Sequence, residues 1–282
     1  MIIITDSAAD FSEEELIAHQ VHRVPMQVMF GDESFTAGLD LPDELFWERL
    51  LSGEIGKTSQ PSPDAFLTAF NHAAEAGEDI LYIGVSSALS GTLQSATIAA
   101  SMLETGKVHI VDTLSGSAAQ KLLVLHACRL RDEGKLCVQE IARELEQLRS
   151  RIRLYASLDT LDNLARSGRI SKAAASIGSL AQLKPIVRIT PETEGHVDVC
   201  GKAIGRHRAI DAILKLVLKY KIDTHFPIVP LYSYCEDNCA ALIKKLREYE
   251  LTVDEQLLTA LGPTLSTHIG PNAYGVAFVC KE

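Results

Sequence analysis

Four polar, Gly/Ser/Thr-rich segments interrupt the apolar runs of this chain and hold the side chains best suited to chemistry. The first is Lys57-Thr58-Ser59-Gln60-Pro61-Ser62-Pro63. Ser62 suits an N-cap and Pro63 a first helical position, which sets hydroxyls just ahead of a helix. Gly56-Lys57-Thr58 has the ending of a phosphate loop, but that motif needs glycine five residues earlier, where Leu51 stands, so it fails. The second, Ser86-Ser87-Ala88-Leu89-Ser90-Gly91-Thr92, follows the apolar run Ile80–Val85. A strand, a small polar loop and a helix start turn free N–H groups and a positive dipole end toward an anion. The bland alternative is that Ser90 only caps the helix. A hydrolase elbow, G-x-S-x-G, is missing its last glycine in Gly84-Val85-Ser86-Ser87-Ala88.

The third segment, Ala165-Arg166-Ser167-Gly168-Arg169-Ile170-Ser171-Lys172, places Arg169 on a tight connection, with Ser171 able to cap the helix that follows. Its guanidinium either reaches a carboxylate or phosphate ligand or pairs on the surface with Asp159 or Asp162. The fourth, Ser266-Thr267-His268-Ile269-Gly270-Pro271-Asn272, sets His268 among hydroxyls beside a turn, as ligand loops often do. Asp6 after the first strand suits either catalysis or an Asx turn, and the turn is the simpler reading. No carboxylate cluster has the look of a metal site and no G-x-G-x-x-G occurs. Catalytic machinery is thin.

The elements that must position these segments alternate. Strand candidates are Ile2–Thr5, Val24–Met29, Ile80–Val85 and Val108–Val111, with helical patterns over about 12–20, 42–51, 64–76, 91–104 and 116–133. Ser12 and Glu15 form a capping box, Pro42 suits a first helical position, and Gly134 suits a helix stop. Continuous apolar strands suit a parallel sheet covered on both faces. After a helix at about 138–151 the order changes: strand 153–158, helices 160–166 and 171–181, strand 185–190, a turn at Glu194-Gly195, then Val197–Cys200. Helices at 206–220 and 237–249, a strand near 226–232 and a closing strand 274–280 follow. The expectation is α/β throughout, with an N-terminal domain (1–150) built on a mainly parallel, three-layer sheet and a C-terminal domain (151–282) with a mixed sheet and helices.

Composition narrows the function. Of 282 residues, 27 are Lys or Arg and 37 Asp or Glu, a net charge of −10 that argues against a nucleic-acid partner. Apolar stretches are strand-sized, too short for a transmembrane helix. Met1-Ile2-Ile3-Ile4-Thr5 reads as a first strand and not as a signal peptide. The six cysteines (Cys128, Cys137, Cys200, Cys235, Cys239, Cys280) form no C-x-x-C pair and are expected as free thiols in a reducing cytoplasm.

Taken together and in order, Thr5-Asp6-Ser7-Ala8-Ala9-Asp10, the Lys57–Ser62 segment, Ser86–Thr92, Ser167–Lys172 and Thr267-His268-Ile269-Gly270-Pro271 resemble the DegV family of bacterial fatty-acid-binding proteins. The resemblance implies two α/β domains enclosing one long-chain fatty acid, with its carboxylate at their junction. It also implies a partner, a separate ATP-dependent fatty acid kinase that phosphorylates the bound acid, while this chain is no enzyme and needs no cofactor or metal. By the same resemblance Thr58, Ser59, Ser90, the Gly91 backbone and His268 hold the carboxylate, and Arg169 lies at the mouth, serving partner docking or phosphoryl transfer. If the acid binds ionised, a protonated His268 is expected. Met26, Val28, Phe30, Leu93, Ile98 and Phe278 are candidates for the tunnel wall. Two departures stand out: Ile204 replaces the arginine of a K-x-R pattern after Gly201, and Asn272 replaces the second glycine of H-x-G-P-G. Rival readings are a lipid-sensing regulatory module and a stand-alone acyl hydrolase or phosphotransferase using Ser90, Asp6 and His268.

Overall fold

The computed structural model describes residues 1–104, 107–170 and 182–281. The three successive isoleucines at the start make β1 (Ile2–Asp6), buried over most of its length. β1 lies between β2 (Val21–Val24) and β6 (Ile80–Gly84), with β7 (Val108–Asp112) beyond β6, all parallel in the order β2-β1-β6-β7. On one face α3 (Pro63–Glu75) and α4 (Thr92–Met102) pack through Phe66 and Phe70 around Tyr82. On the other lie α1 (Glu13–His19), α5 (Ser117–Glu133) and α6 (Val138–Arg149). This is the expected three-layer unit. The Ser12–Glu15 capping box, the Ser62 cap with Pro63 and the left-handed stop at Gly134 are all present.

The apolar run Val24–Met29 does not form one strand. Proline has no N–H to give a ladder, and at Pro25 the chain leaves the parallel sheet. It enters a separate antiparallel sheet of β3 (Gln27–Phe30), β4 (Glu33–Thr36) and β5 (Gly56–Ser59), ordered β4-β3-β5. Val28 and Phe30 pack on Phe46 of α2 (Asp43–Leu51) to give this sheet its own small core. Pro42 stands one residue before α2 as its N-cap and not inside it.

The second half folds around a six-stranded mixed sheet of β8 (Ile152–Ser157), β9 (Leu183–Ile189), β10 (Asp198–Ile204), β11 (Val229–Tyr232), β12 (Thr259–Ala260) and β13 (Tyr274–Val279), ordered β10-β9-β8-β13-β11-β12. Only the β11–β12 pair is parallel. α7 (Asp162–Arg166) follows β8, and the helix expected over 171–181, with its Ser171 cap and Lys172, lies outside the described residues. α8 (Arg206–Val217) and α9 (Glu236–Arg247) cover the outer face with Ile213, Leu242 and Leu246, each worth roughly 1.5–3 kcal/mol when fully buried. α10 (Pro263–Ile269) precedes the closing strand.

α5 joins the halves. It touches β1 and β6 on one side and β8, β11 and β13 on the other. Every residue from Ser117 to Val124 is buried, so this turn pair has no solvated face. Lys121 lies inside only because its ammonium meets both oxygens of Glu15 at 2.9 and 3.0 Å and sits over the Phe11 ring.

Candidate functional site

A cavity lies where the loops after β1, β6 and β7 face the inner side of the mixed sheet. Its interior leaves about 100 Å³ for the centres of water-sized molecules. Strand alternation builds one wall: Leu154 and Ala156 of β8 and Val187 and Ile189 of β9 face it, while Tyr155 and Ile186 point into the core under α8. Met26, Val85 and Leu265 close the opposite side. Of the six expected wall residues, Met26 alone lines the cavity. Val28 and Phe30 belong to the α2 core, Leu93 of α4 packs against the Phe66–Phe70–Tyr82 cluster, Phe278 lies on the outer face of the mixed sheet, and Ile98 is 43% exposed.

The polar end of this cavity gathers Thr58 from β5, Ser90 from the loop before α4, Arg169 from the turn after α7 and His268 from the last turn of α10. Thr58, Arg169 and His268 also line a second, more polar cleft that holds Lys57 and Arg166. These three side chains therefore stand between an apolar interior and a cationic vestibule.

Local packing fixes each of them. β5 lies so close to α10 that a Cβ on Gly56 would stand 3.0 Å from the Thr267 methyl, and this approach brings Thr58 Oγ1 within 2.7 Å of His268 Nε2. His268 is 8% exposed and its Nδ1 has no partner among the described residues. Burial first, and the Arg169 guanidinium second, push its pKa down to about 4. With no carboxylate beside it the imidazole is held neutral, and the positive charge of the site rests on Arg169. Either tautomer still offers a proton: N–H at Nδ1 points one directly, and N–H at Nε2 donates to Thr58 and frees the threonine hydroxyl to donate.

Gly168, with φ +74, turns the chain after α7 so that Arg169 returns to the cavity. Its guanidinium donates to the Leu89 and Ser167 carbonyls at 3.3 and 2.6 Å. It does not pair with Asp159, which binds Lys184 and Asn272. Ser90 Oγ accepts weakly from the Thr92 amide at 3.3 Å and shares a hydrogen with Thr92 Oγ1 at 2.7 Å, so capping and cavity lining are combined in one hydroxyl. Ser59 and Gly91 stand outside the wall. Side chains alternate along β5, so Thr58 facing inward turns the exposed Ser59 outward. Gly91 is the N-cap of α4, with the Gln60 side chain against its Cα.

Asp6 takes no part in this cluster. Its carboxylate accepts from Ala8 N, Val85 N, Tyr82 Oη and Gln120 Nε2, tying the loops after β1 and β6 together, while burial raises its pKa. A Ser90–His268–Asp6 triad is thus not assembled. Among the described residues no group of three His, Cys, Asp or Glu side chains is placed to hold a metal. No helix there is long and apolar enough to cross a membrane. All six cysteines are free thiols, and burial lifts Cys128 to about 11.

A family model described as "Uncharacterised protein, DegV family" matches residues 1–281. The chain belongs to the DegV family. Among its relatives, the DegV domain-containing protein YteA of Lactococcus lactis is 32% identical over 286 residues, covering 99% of this chain and 98% of that one. A Thermus thermophilus DegV family protein, whose structure is described as showing fatty acid binding, superposes with a TM-score of 0.88 at 31% identity, over 99% of both chains. DegV of Bacillus subtilis, described as a fatty acid binding protein, gives 0.84 at 28% identity, again over 99% of both.

Asn272 adopts φ +61, the conformation a glycine would supply, and donates to Asp159 at 2.8 Å. Ile204 stands 55% exposed at the end of β10, and the nearby Arg206 is turned to the Asp237 carbonyl. Both wall strands were expected, but not their role as cavity wall, because an apolar face turned to a cavity has the same pattern as one turned to a core.

Proposed function

We propose that this chain binds one long-chain fatty acid, with the hydrocarbon in the apolar cavity and the carboxylate among Thr58, Ser90, His268 and Arg169. The observation that carries the reading is the juxtaposition of a deep apolar cavity with a polar gate shared by an outer cationic cleft. Burying the methylenes of a C16 acid at about 0.8 kcal/mol each contributes roughly 10 kcal/mol before the costs of ordering and association. The carboxylate cannot follow unpaired. Two hydroxyls, a neutral imidazole and a guanidinium receive it at the gate. The Thermus and Bacillus relatives described as binding fatty acids support the same reading.

The finer role follows from the outer cleft. With the tail buried, the carboxylate faces Lys57 and Arg166, cations suited to a phosphate donor. The chain then presents the acid to a separate ATP-dependent fatty acid kinase in the cytoplasm and acts as a carrier without turnover of its own, as its family resemblance implies. Calorimetric titration of delipidated protein with hexadecanoate tests the binding claim. Hydrogen bonds to a charged group are worth roughly 1.5–3 kcal/mol each, so Thr58→Val with Ser90→Ala should weaken binding by about 100-fold or more. Unchanged affinity in the double variant would remove the gate from the account.

A further inference from the structure

Deeper than the gate, the cavity wall carries a second polar group that the carboxylate does not need. Ser117 Oγ and Thr264 Oγ1 both line the cavity, at 4% and 3% exposure, and neither hydroxyl has a hydrogen-bond partner among the described residues. Neither residue reaches the outer cleft, which places them inside the Thr58–Arg169–His268 gate. Behind them stands Asp10. One of its oxygens accepts from Gly262 N at 3.0 Å, and the other is buried without a partner. The Ser117 hydroxyl points toward Asp10 closely enough to lower its pKa as a donor would, but falls short of full hydrogen-bond geometry. Two unsatisfied hydroxyls thus face a pocket whose remaining interior is almost wholly apolar, with Asp10 behind Ser117.

Buried hydroxyls without partners are uncommon, because each costs about 1–3 kcal/mol when left unpaired. An unbranched saturated chain lying across them would leave both hydroxyls unsatisfied. A chain bearing a hydroxyl would satisfy them, since that group both donates and accepts. Thr264 precedes His268 by four residues on α10, roughly 6 Å at 1.5 Å per residue, which sets this contact within the first several carbons of the acid.

Resting on the fatty-acid reading above, we propose that Ser117 and Thr264, backed by Asp10, form a second polar subsite that selects long-chain acids hydroxylated near the carboxyl end.

The test is calorimetric titration of the delipidated full chain with hexadecanoic acid and its monohydroxylated forms at carbons 2 through 6. At least one hydroxylated acid should bind about 10-fold or more tighter than hexadecanoic acid, and that ratio should collapse in Ser117→Ala with Thr264→Val. The single variants, each lowering the ratio by part of this factor, serve where the double variant fails to fold. If hexadecanoic acid binds but every hydroxylated form binds more weakly, the subsite is overturned and the oxygens hold a resident water only. A ratio identical in wild type and variants overturns it equally. If no acid of the panel binds, the fatty-acid reading itself falls and the subsite with it.

Discussion

Asp10 offers a test of the interior electrostatics that needs no ligand. The residue is 9% exposed, and burial raises its carboxyl from 3.8 to about 7 despite the Gly262 amide and the Lys121 ammonium. The sign follows from proton linkage. Below pH 3.8 both folded and unfolded chains carry the proton, so the group costs nothing. Between pH 3.8 and 7 the unfolded chain ionises while the folded one keeps its proton, and stability falls as pH rises, levelling above 7. At about 1.4 kcal/mol per pH unit, the gap between 3.8 and about 7 amounts to roughly 4 kcal/mol. Asp10→Asn cannot ionise, retains an oxygen for Gly262 N and brings an amide to the unpartnered oxygens nearby. Denaturant unfolding of delipidated wild type and variant from pH 4 to pH 8 isolates the term as a difference. His126 and His268, both lowered to about 4 by burial, titrate identically in the two proteins and cancel. The variant should gain on the wild type by roughly 4 kcal/mol across the range. A difference independent of pH, or one that shrinks as pH rises, would refute the buried, protonated Asp10.

Three further outcomes follow. Because His268 is neutral down to about 4, hexadecanoate affinity should be flat between pH 6.5 and 8; titrations showing it tighten as pH drops across that window would restore a cationic imidazole. Val187→Phe adds about four carbons to the cavity wall and should shift the preferred acid to shorter chains, at roughly 0.8 kcal/mol per displaced methylene, as a competition series of C10–C18 acids would read. Arg169→Gln removes the one charge facing both cavities among the described residues, and acyl-phosphate formation with a fatty acid kinase and ATP should slow by about 10-fold or more at saturating acid; an unaltered rate would detach Arg169 from that step.

Much of the frame was legible because local chemistry and tertiary structure agree. Ser12 with Glu15, Ser62 with Pro63, and Gly134 mark helix ends in any context, and the Ile80–Val85 run has no reading but a buried strand. Thr58, Ser90, Arg169 and His268 stood out because hydroxyls, a guanidinium and an imidazole were flanked by turn residues. What stayed hidden depends on partners far away in sequence. β4 and β5 are polar and half-exposed, so no apolar alternation announces them, and only pairing with β3 makes them strands. Val28 and Val187 are equally apolar, yet one meets Phe46 and the other a cavity. Nothing in the sequence singles out Ser117 or Thr264, because their missing hydrogen bonds exist only in the folded chain.

The central claim is tested most directly by mass spectrometry of the purified protein, first native and then after organic extraction. The account predicts a single C14–C18 fatty acid at one per chain, lost from Thr58→Val with Ser90→Ala. Protein that purifies empty and takes up no added fatty acid would contradict it.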